Sequence, residues 1–346
     1  MFRRGSTFRA LAPKGFAKMS ARLPLHSEAV QMRFLLLALL LAPPRLLAQE
    51  SPRPNRVAWL EIFPEPLPQG VPEIALEVSS QFLRPDLENS GDGRTFARLD
   101  GEEWQLTLDL PWKLGPAILN LRVRAAQRGG GLLDQTIVNW HNLLGTPTGG
   151  REAAPKGRVA YHLERDGVLV GDLDRARLSL MDTDLACLVP FGVPEGGGRV
   201  GVSLQLPTGS RKDFSGSGGW DAVAGGAGWW RRGAWGVHAQ GERVFIGLPE
   251  GSPYRGVLGA RSFSRAWLGL GYQGRGLGVD LTFGYSESPY RVGIRRIDGA
   301  GLQQHWTFSH RAWPNWRFGF SEEAGSYTSP DFSAFISWRY GKPRGV

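Results

Sequence analysis

The sequence predicts an all-β fold, a transmembrane antiparallel β-barrel of about 12 strands within a range of roughly 10–14. Three observations lead to this fold class. Runs of about nine to eleven residues alternate between apolar and polar side chains, and this is the length of a tilted strand that crosses a bilayer. Aromatic residues stand at the ends of these runs, as in the aromatic girdles of membrane barrels. The chain of 346 residues also contains 48 Gly and 13 Trp, a composition that suits strands joined by tight turns.

The alternation is clearest in the C-terminal third of the chain. Between residues 277 and 286, Leu, Val, Leu, Phe and Tyr alternate with Gly, Asp, Thr, Gly and Ser. Because successive side chains of a strand point to opposite faces, one face of such a run meets an apolar medium and the other a polar one. The polar positions expected to line the barrel interior include Asp280, Thr282, Gln303, His305, Arg317 and Arg339.

Strands are also predicted in the first half of the chain, near residues 74–82, 103–110, 117–126 and 159–163. In the third of these runs, Arg122 and Arg124 fall on the polar face. The last of them leads into Arg165-Asp166-Gly167, which is a hairpin turn signal.

The first 48 residues are predicted to be an export leader. Met32-Arg33, the apolar run Phe34–Ala42 and the Pro43-Pro44 break are the parts of a Sec-type signal peptide, with Ala48 as the cleavage point. Residues 1–31 then reflect an extended start or a start codon assigned too early.

The rest of the chain divides into three parts. Residues 49–72 are proline-rich and predict an extended segment, residues 73–340 form the barrel domain, and residues 341–346 are a short tail. No run after the leader reaches the roughly 18 apolar residues of a transmembrane helix, so none is expected.

The charge of the chain does not indicate a nucleic-acid partner. Residues 1–48 hold 8 of the 41 basic and 1 of the 32 acidic residues, so the remainder has 33 basic and 31 acidic residues. The net charge of +9 at pH 7 therefore falls to +2 once the leader is set aside. Cys187 is the only cysteine, which excludes an intramolecular disulfide, and no Cys/His spacing indicates a metal or another cofactor.

One stretch, Gly129–Arg151, predicts a helix in a chain otherwise made of strands and turns. Apolar residues recur there at helical spacing, at Leu133, Ile137, Trp140 and Leu144. Gly145 can adopt the left-handed conformation that ends a helix, and Pro147 prevents its continuation. A short amphipathic helix is therefore expected near residues 132–144.

The same stretch carries the candidate site residues. Asp134 and His141 lie on one face of the predicted helix, and Arg151 follows the Gly149-Gly150 pair. In one interpretation Asp134 orients His141 as a general base while Arg151 binds an anionic group. In the other, Asp134 serves the helix start, His141 is an ordinary interfacial residue, and the cluster is structural.

Four motifs carry a resemblance to a known family. They are Leu99–Trp104 (LDGEEW), Asp109-Leu110-Pro111, Gly129–Arg151, and Leu206-Pro207-Thr208-Gly209. With these motifs the sequence resembles the bacterial outer-membrane family known as domain of unknown function 3187. The resemblance implies an outer-membrane barrel with an internal helical segment and implies no specific activity. Thr146-Pro147 departs from the leucine-proline expected in the turn after the helix.

Three functions remain open from the sequence. The first is an outer-membrane barrel with a narrow pore, transport or envelope structural role, in which helix 132–144 is a plug or brace. The second is an outer-membrane lipid or cell-wall hydrolase that uses Asp134, His141 and Arg151. The third is a soluble periplasmic β ligand carrier. The first function predicts outer-membrane lipid and the barrel-assembly machinery as partners, with a small-molecule cargo that the sequence does not identify.

Overall fold

The computed structural model describes residues 63–68, 73–131, 155–193, 195–323 and 332–340, together with Gln135, Val138, Asn139, Asn142, Leu143 and Gly145. The strands are β1 (Ile74–Asn89), β2 (Thr95–Leu114), β3 (Ala117–Gly129), β4 (Ala160–Arg165), β5 (Val168–Leu173), β6 (Arg177–Leu180), β7 (Thr183–Val193), β8 (Gly196–Leu206), β9 (Asp221–Arg232), β10 (Trp235–Phe245), β11 (Ser262–Gln273), β12 (Leu277–Ser286), β13 (Gly301–His310), β14 (Trp313–Glu323) and β15 (Phe332–Tyr340). Short helical turns lie between some of the strands, at Arg211–Asp213, Pro253–Gly256 and Arg295–Asp298. The predicted leader and the predicted tail lie outside the described residues.

Twelve of these strands close into a barrel in the order β1, β2, β3 and then β7 to β15, each antiparallel to its neighbours. The ring closes where β1 pairs with β15, from Ile74 opposite Tyr340 to Phe82 opposite Phe332. Closure satisfies the backbone hydrogen bonds of the ring without a free sheet edge, as a lipid environment requires. The predicted fold class and the predicted strand number are confirmed.

Three further strands, β4, β5 and β6, extend the sheet beyond one rim of the ring, and we call them the sheet extension. The 20-residue β2 pairs with β4 through Thr95–Asp100 and with β3 through Glu102–Leu114. β5 then pairs with β4, and β6 pairs with the end of β3. Asp166 and Gly167 have positive φ angles of 51° and 74°, so the hairpin turn predicted there is confirmed.

The connections differ at the two ends of the barrel. At one end the strands join through tight turns, such as Gly115-Pro116, Gly233-Ala234 and Arg311-Ala312. At the other end the connections are long and contain the helical turns, at residues 207–220, 246–261 and 287–300. Barrels of the outer membrane have short turns on the periplasmic side and longer loops outside. By this rule Ile74 and Tyr340 lie at the periplasmic end, which we call the short-turn end.

The two faces of the strands differ in the way that the alternation predicts. On β10, Trp235 and Val237 are exposed on the outside, whereas Gln240 and Glu242 are buried on the inside. The predicted lumen positions that are buried are Thr282, Gln303 and His305. A soluble carrier would turn a polar face to its surroundings, whereas this barrel turns apolar side chains outward, so the carrier hypothesis does not fit the fold.

Part of the predicted helix can be described. Gln135, Val138, Asn139, Asn142 and Leu143 are helical, and the amide of Gly145, at a φ of 68°, donates to the Asn142 carbonyl at 3.4 Å. The remaining positions of helix 132–144 lie outside the described residues. Within the described part of the chain, no helix has the length and apolar character needed to span a membrane.

Candidate functional site

The barrel lumen contains a piece of the chain's own N-terminal region. Residues Phe63–Pro68, which we call the lumen segment, are enclosed by the ring, and Phe63, Glu65 and Leu67 are 0%, 6% and 1% exposed. The segment reads FPEPLP, so every second residue lacks a backbone N–H. It therefore cannot pair as a regular strand, and it presents mainly carbonyl oxygens to the barrel wall.

Arginine side chains of the wall donate to these carbonyl groups. Arg265 Nη1 on β11 donates to the Pro64 oxygen at 2.8 Å. Arg122 Nη1 on β3 donates to the Pro66 oxygen at 3.3 Å. A guanidinium carries several donors and no acceptor, which matches a proline-rich segment that offers acceptors and few donors.

The backbone of Leu67 both accepts and donates hydrogen bonds. Its carbonyl oxygen accepts from Arg199 Nη2 and from Gln240 Nε2, each at 2.9 Å. Its amide donates to Glu242 Oε1 at 2.7 Å, and Gln240 Nε2 also donates to that oxygen. These partners stand on β8 and β10, so, with the arginines of β3 and β11, they hold the segment from the half of the ring that runs from β3 to β11.

Glu65 is the charged residue of the lumen segment. Its Oε1 pairs with Arg124 Nη1 at 2.7 Å, and the Arg124 side chain is 0% exposed. The Arg124 guanidinium also lies 3.4 Å from Asp184 Oδ2 and donates to the Asp182 carbonyl at 3.2 Å. Removing a charge from water is costly unless partners surround it, so Glu65 and Arg124 depend on each other inside the barrel.

The wall also supplies carboxylates that balance the other arginines. The pairs are Asp109 with Arg122 at 2.7 Å, Glu242 with Arg265 at 2.9 Å, and Glu103 with Arg128 at 2.6 Å. Because the three basic residues of β3 stand at even spacing, all of them point inward. This side of the lumen is therefore a network of opposite charges that the segment contacts.

Phe63 anchors the segment near the end of the barrel that carries the long connections, which we call the long-loop end. Its ring centroid lies 5.6 Å from that of Phe263 and 6.1 Å from that of Tyr290. The same apolar cluster includes Tyr254, which is fully buried, and Leu163 from the sheet extension. Aromatic pairs at such distances add to the stabilisation from burial alone.

A polar row lines another part of the lumen, on β10 to β15. In register across neighbouring strands the row runs through His238, Gly269, Thr282, His305, Ser321 and Ser333. His238 Nε2 lies 3.1 Å from Asp280 Oδ2, and Thr282 Oγ1 donates to Asp280 Oδ1 at 2.7 Å. A Cβ at Gly269 would lie 2.0 Å from His238 Nε2, so the glycine makes room for this histidine.

A carboxylate organises the loops above the long-loop rim. Asp182 accepts from the Gly209 amide at 2.7 Å and from the Ser217 amide at 2.9 Å. Burial raises the pKa of the Asp182 carboxyl above its ordinary value, and the two amide donors oppose that rise. Gly216 packs against the same side chain, since a Cβ there would lie 2.4 Å from Asp182 Oδ1.

The motifs of the resemblance lie at junctions of this architecture. In LDGEEW, Gly101 is the point at which β2 changes partner from β4 to β3, and a Cβ there would lie 2.7 Å from the Tyr161 hydroxyl. In the Leu206–Gly209 motif, Gly209 is the residue whose amide binds Asp182. These positions fix the loops and the sheet extension.

The candidate residues Asp134, His141 and Arg151 lie outside the described residues, so a hydrolytic site there stays a prediction. The sequence placed Arg122 and Arg124 on the polar face of a strand, and the structure puts both side chains in the lumen. The role of Phe63–Pro68 was missed. Its signal was the alternation of proline with Phe, Glu and Leu, which gives a segment rich in unpaired carbonyl groups.

Comparison with protein families gives a match over residues 95–237 to DUF3187, described as a protein of unknown function. The matched range contains the four motifs of the resemblance, which is thereby confirmed. No curated protein matches the sequence.

Comparison with solved structures gives outer-membrane proteins, several of which are channels. A COG4313 outer membrane channel from Pseudomonas putida F1 shares 15% identity, with a TM-score of 0.44 over 78% of this chain and 96% of the channel. The NanC porin shares 6% identity, with a TM-score of 0.40 over 77% of this chain and 100% of the porin. The CymD monoaromatic hydrocarbon channel shares 12% identity, with a TM-score of 0.37 over 88% of this chain and 99% of the channel.

Proposed function

We propose that the chain, which matches the DUF3187 family model over residues 95–237, is a narrow outer-membrane pore whose lumen is closed by residues Phe63–Pro68. The observation that carries this proposal is the set of hydrogen bonds between the segment and inward side chains of β3, β8, β10 and β11. A ring of 12 strands encloses a small lumen, so even a single extended segment occupies much of its cross-section.

The membrane part of the proposal follows from the outer surface of the barrel. Large apolar side chains point outward on successive strands, and Leu204, Leu268 and Leu270 are 38%, 63% and 49% exposed. Such a band contacts outer-membrane lipid. The protein would be exported through the Sec-type signal at residues 32–48 and would fold with the barrel-assembly machinery.

The segment replaces helix 132–144 as the principal plug in this proposal, because the segment has described contacts on several strands of the ring. The helix keeps its predicted role as a plug or brace at the rim. Of its described residues, Gln135 accepts from Lys156 Nζ at 2.7 Å, an exposed contact that fits a position near the loops.

Conductance in planar lipid bilayers tests the proposal. The variant Phe63→Ser/Glu65→Ser/Leu67→Ser, which we call the opened variant, removes the aromatic anchor, the ion pair with Arg124 and a buried apolar side chain. We expect a several-fold rise in single-channel conductance over the unmodified protein, because the segment loses its side-chain anchors and keeps only its backbone hydrogen bonds to the wall. The control is Asp174→Ser/Arg175→Ser, which changes exposed loop residues and leaves the lumen unaltered.

Folding is checked on the same samples by the change in gel migration on heating that folded membrane barrels show. A folded opened variant with unchanged conductance would contradict the proposal that Phe63–Pro68 closes the pore. If the opened variant does not fold, the single change Glu65→Gln is tested in its place. This change retains the volume of the side chain and removes its charge.

A further inference from the structure

The lumen segment presents a characteristic set of hydrogen-bonding groups to the barrel wall. It offers one carboxylate, on Glu65, and the carbonyl oxygens of Pro64, Pro66 and Leu67 to donors of the wall. In return, the Leu67 amide donates to Glu242 Oε1. A molecule that took the place of the segment would need the same pattern of one negative charge and several neutral acceptor oxygens.

We propose that Arg122, Arg124, Arg199, Arg265 and Gln240 form a binding site for an organic monocarboxylate rich in neutral oxygen acceptors, and that the segment occupies this site as an internal substitute for that solute. The inference rests on the proposed pore function, because the solute reaches the site only when Phe63–Pro68 moves away. The chemical class is that of a polyhydroxylated carboxylic acid, whose hydroxyl and carboxylate oxygens accept from guanidinium and amide donors.

Charge is the first reason for an anionic occupant. Four guanidinium groups face the segment, and the carboxylates Asp109, Asp184 and Glu242 of the wall lie beside them. The segment itself contributes the Glu65 carboxylate, which pairs with the Arg124 guanidinium. The Arg124 side chain is 0% exposed. Withdrawal of Glu65 takes a negative charge out of a water-poor site, and an entering carboxylate restores it.

Geometry is the second reason. The donors stand on separate strands, β3, β8, β10 and β11, so they converge on an occupant from across one half of the ring. Arg199 Nη2 contacts both the Leu67 oxygen and, at 3.2 Å, Gln240 Oε1, which fixes the guanidinium whatever the occupant. Arg122 and Arg265 are likewise held by carboxylates of the wall. Donors held in place by the wall remain oriented when the segment leaves, which is the condition for binding a second molecule.

The test uses D-glucuronate as the probe, with D-glucose as a neutral molecule of the same ring size. Binding to the purified full-chain protein in detergent is measured by isothermal titration calorimetry, for the unmodified protein and for the opened variant. We expect the opened variant to bind glucuronate at least tenfold more tightly than the unmodified protein, whose own segment competes, and to bind glucose in neither form.

A second change in the opened variant identifies the site. Arg124→Gln removes the guanidinium that Glu65 neutralises, and we expect it to lower glucuronate affinity about tenfold or more. The matched control is Lys113→Gln, which removes an exposed positive charge at the short-turn end and should leave the affinity unchanged. If Arg124→Gln does not fold, Arg199→Gln tests the same cluster from β8.

The outcomes separate this inference from the pore. Raised conductance of the opened variant without preference for glucuronate over glucose would leave the pore proposal standing and overturn the binding site. Glucuronate binding that Arg124→Gln and Arg199→Gln leave intact would also overturn the site. Unchanged conductance in a folded opened variant would remove the basis of both.

Discussion

Gly269 shows how one residue without a side chain arranges part of the lumen. It stands on β11 between His238 and Thr282 in register, so a side chain there would fill the space through which His238 reaches Asp280. The contact between the His238 imidazole and the Asp280 carboxylate therefore crosses β11 at a glycine. Sequence alternation alone marks Gly269 as an inward position and does not show why that position is a glycine.

A first prediction concerns Gly269→Ala. The added methyl would lie 2.0 Å from His238 Nε2, so the imidazole must move away from Asp280. Overpacking of this kind costs about 1–3 kcal/mol in the free energy of unfolding. Urea unfolding of the barrel in lipid vesicles measures this loss.

The matched control for this prediction is Gly241→Ala on the neighbouring strand β10. A Cβ at Gly241 would meet nothing within 4 Å, and the position faces outward. A loss of stability in Gly241→Ala as large as that in Gly269→Ala would mean that backbone freedom, and not the space beside His238, decides the effect.

At the scale of the element, β12 tests the assignment of faces. Leu281 is the central outward residue of this strand, in register with Leu270 and Trp306 on its two sides. A charge placed at the bilayer midplane must be taken from water into hydrocarbon. We therefore expect Leu281→Arg to lower the free energy of unfolding by roughly 2–4 kcal/mol in lipid vesicles.

The control for β12 is Ala312→Arg in the tight turn between β13 and β14. Ala312 is exposed at the short-turn end, where the same charge costs about 0–1 kcal/mol. Equal costs at Leu281 and Ala312 would show that the outward face of β12 does not meet the centre of the bilayer.

Alternation of side chains made the membrane strands predictable, because lipid outside and water inside impose a period of two on every crossing. It placed Leu281 outward and Thr282 inward, and it led to twelve strands. The rule fails where a strand leaves the membrane. Thr95–Asp100 continues β2 and pairs with β4, so β2 is longer than a crossing requires, and alternation did not predict that the strand near residues 159–163 pairs with it outside the ring.

The lumen segment was not predicted for a different physical reason. Its prolines indicated an extended chain, and that part of the interpretation needs only local chemistry. Its location depends on Arg124, Arg199 and Arg265, which come from three strands that are far apart in the sequence. Local patterns reveal that a carbonyl-rich segment and inward arginines exist, whereas their meeting is a property of the closed ring.

At the scale of the whole molecule, the barrel is asymmetric along its axis. The long connections, the sheet extension and the apolar cluster around Tyr254 and Tyr290 lie at one end, and the tight turns lie at the other. Phe63 contacts the cluster at the long-loop end, whereas β1 begins at Ile74 at the short-turn end. Residues Phe63–Pro68 lie in the lumen between these two ends, so the segment is placed to obstruct passage.

This asymmetry predicts the orientation of the protein in the outer membrane. In a Cys187→Ser background, which removes the only native thiol, a single cysteine is introduced as Glu250→Cys in a long loop or as Lys113→Cys at the short-turn end. Both positions are exposed, so accessibility in the folded protein does not limit either reaction. A membrane-impermeant maleimide applied to intact cells should label Glu250→Cys, because long loops face outward. Lys113→Cys should react only after the outer membrane has been permeabilised, and the reverse pattern would mean that the barrel is inserted with its tight turns outside.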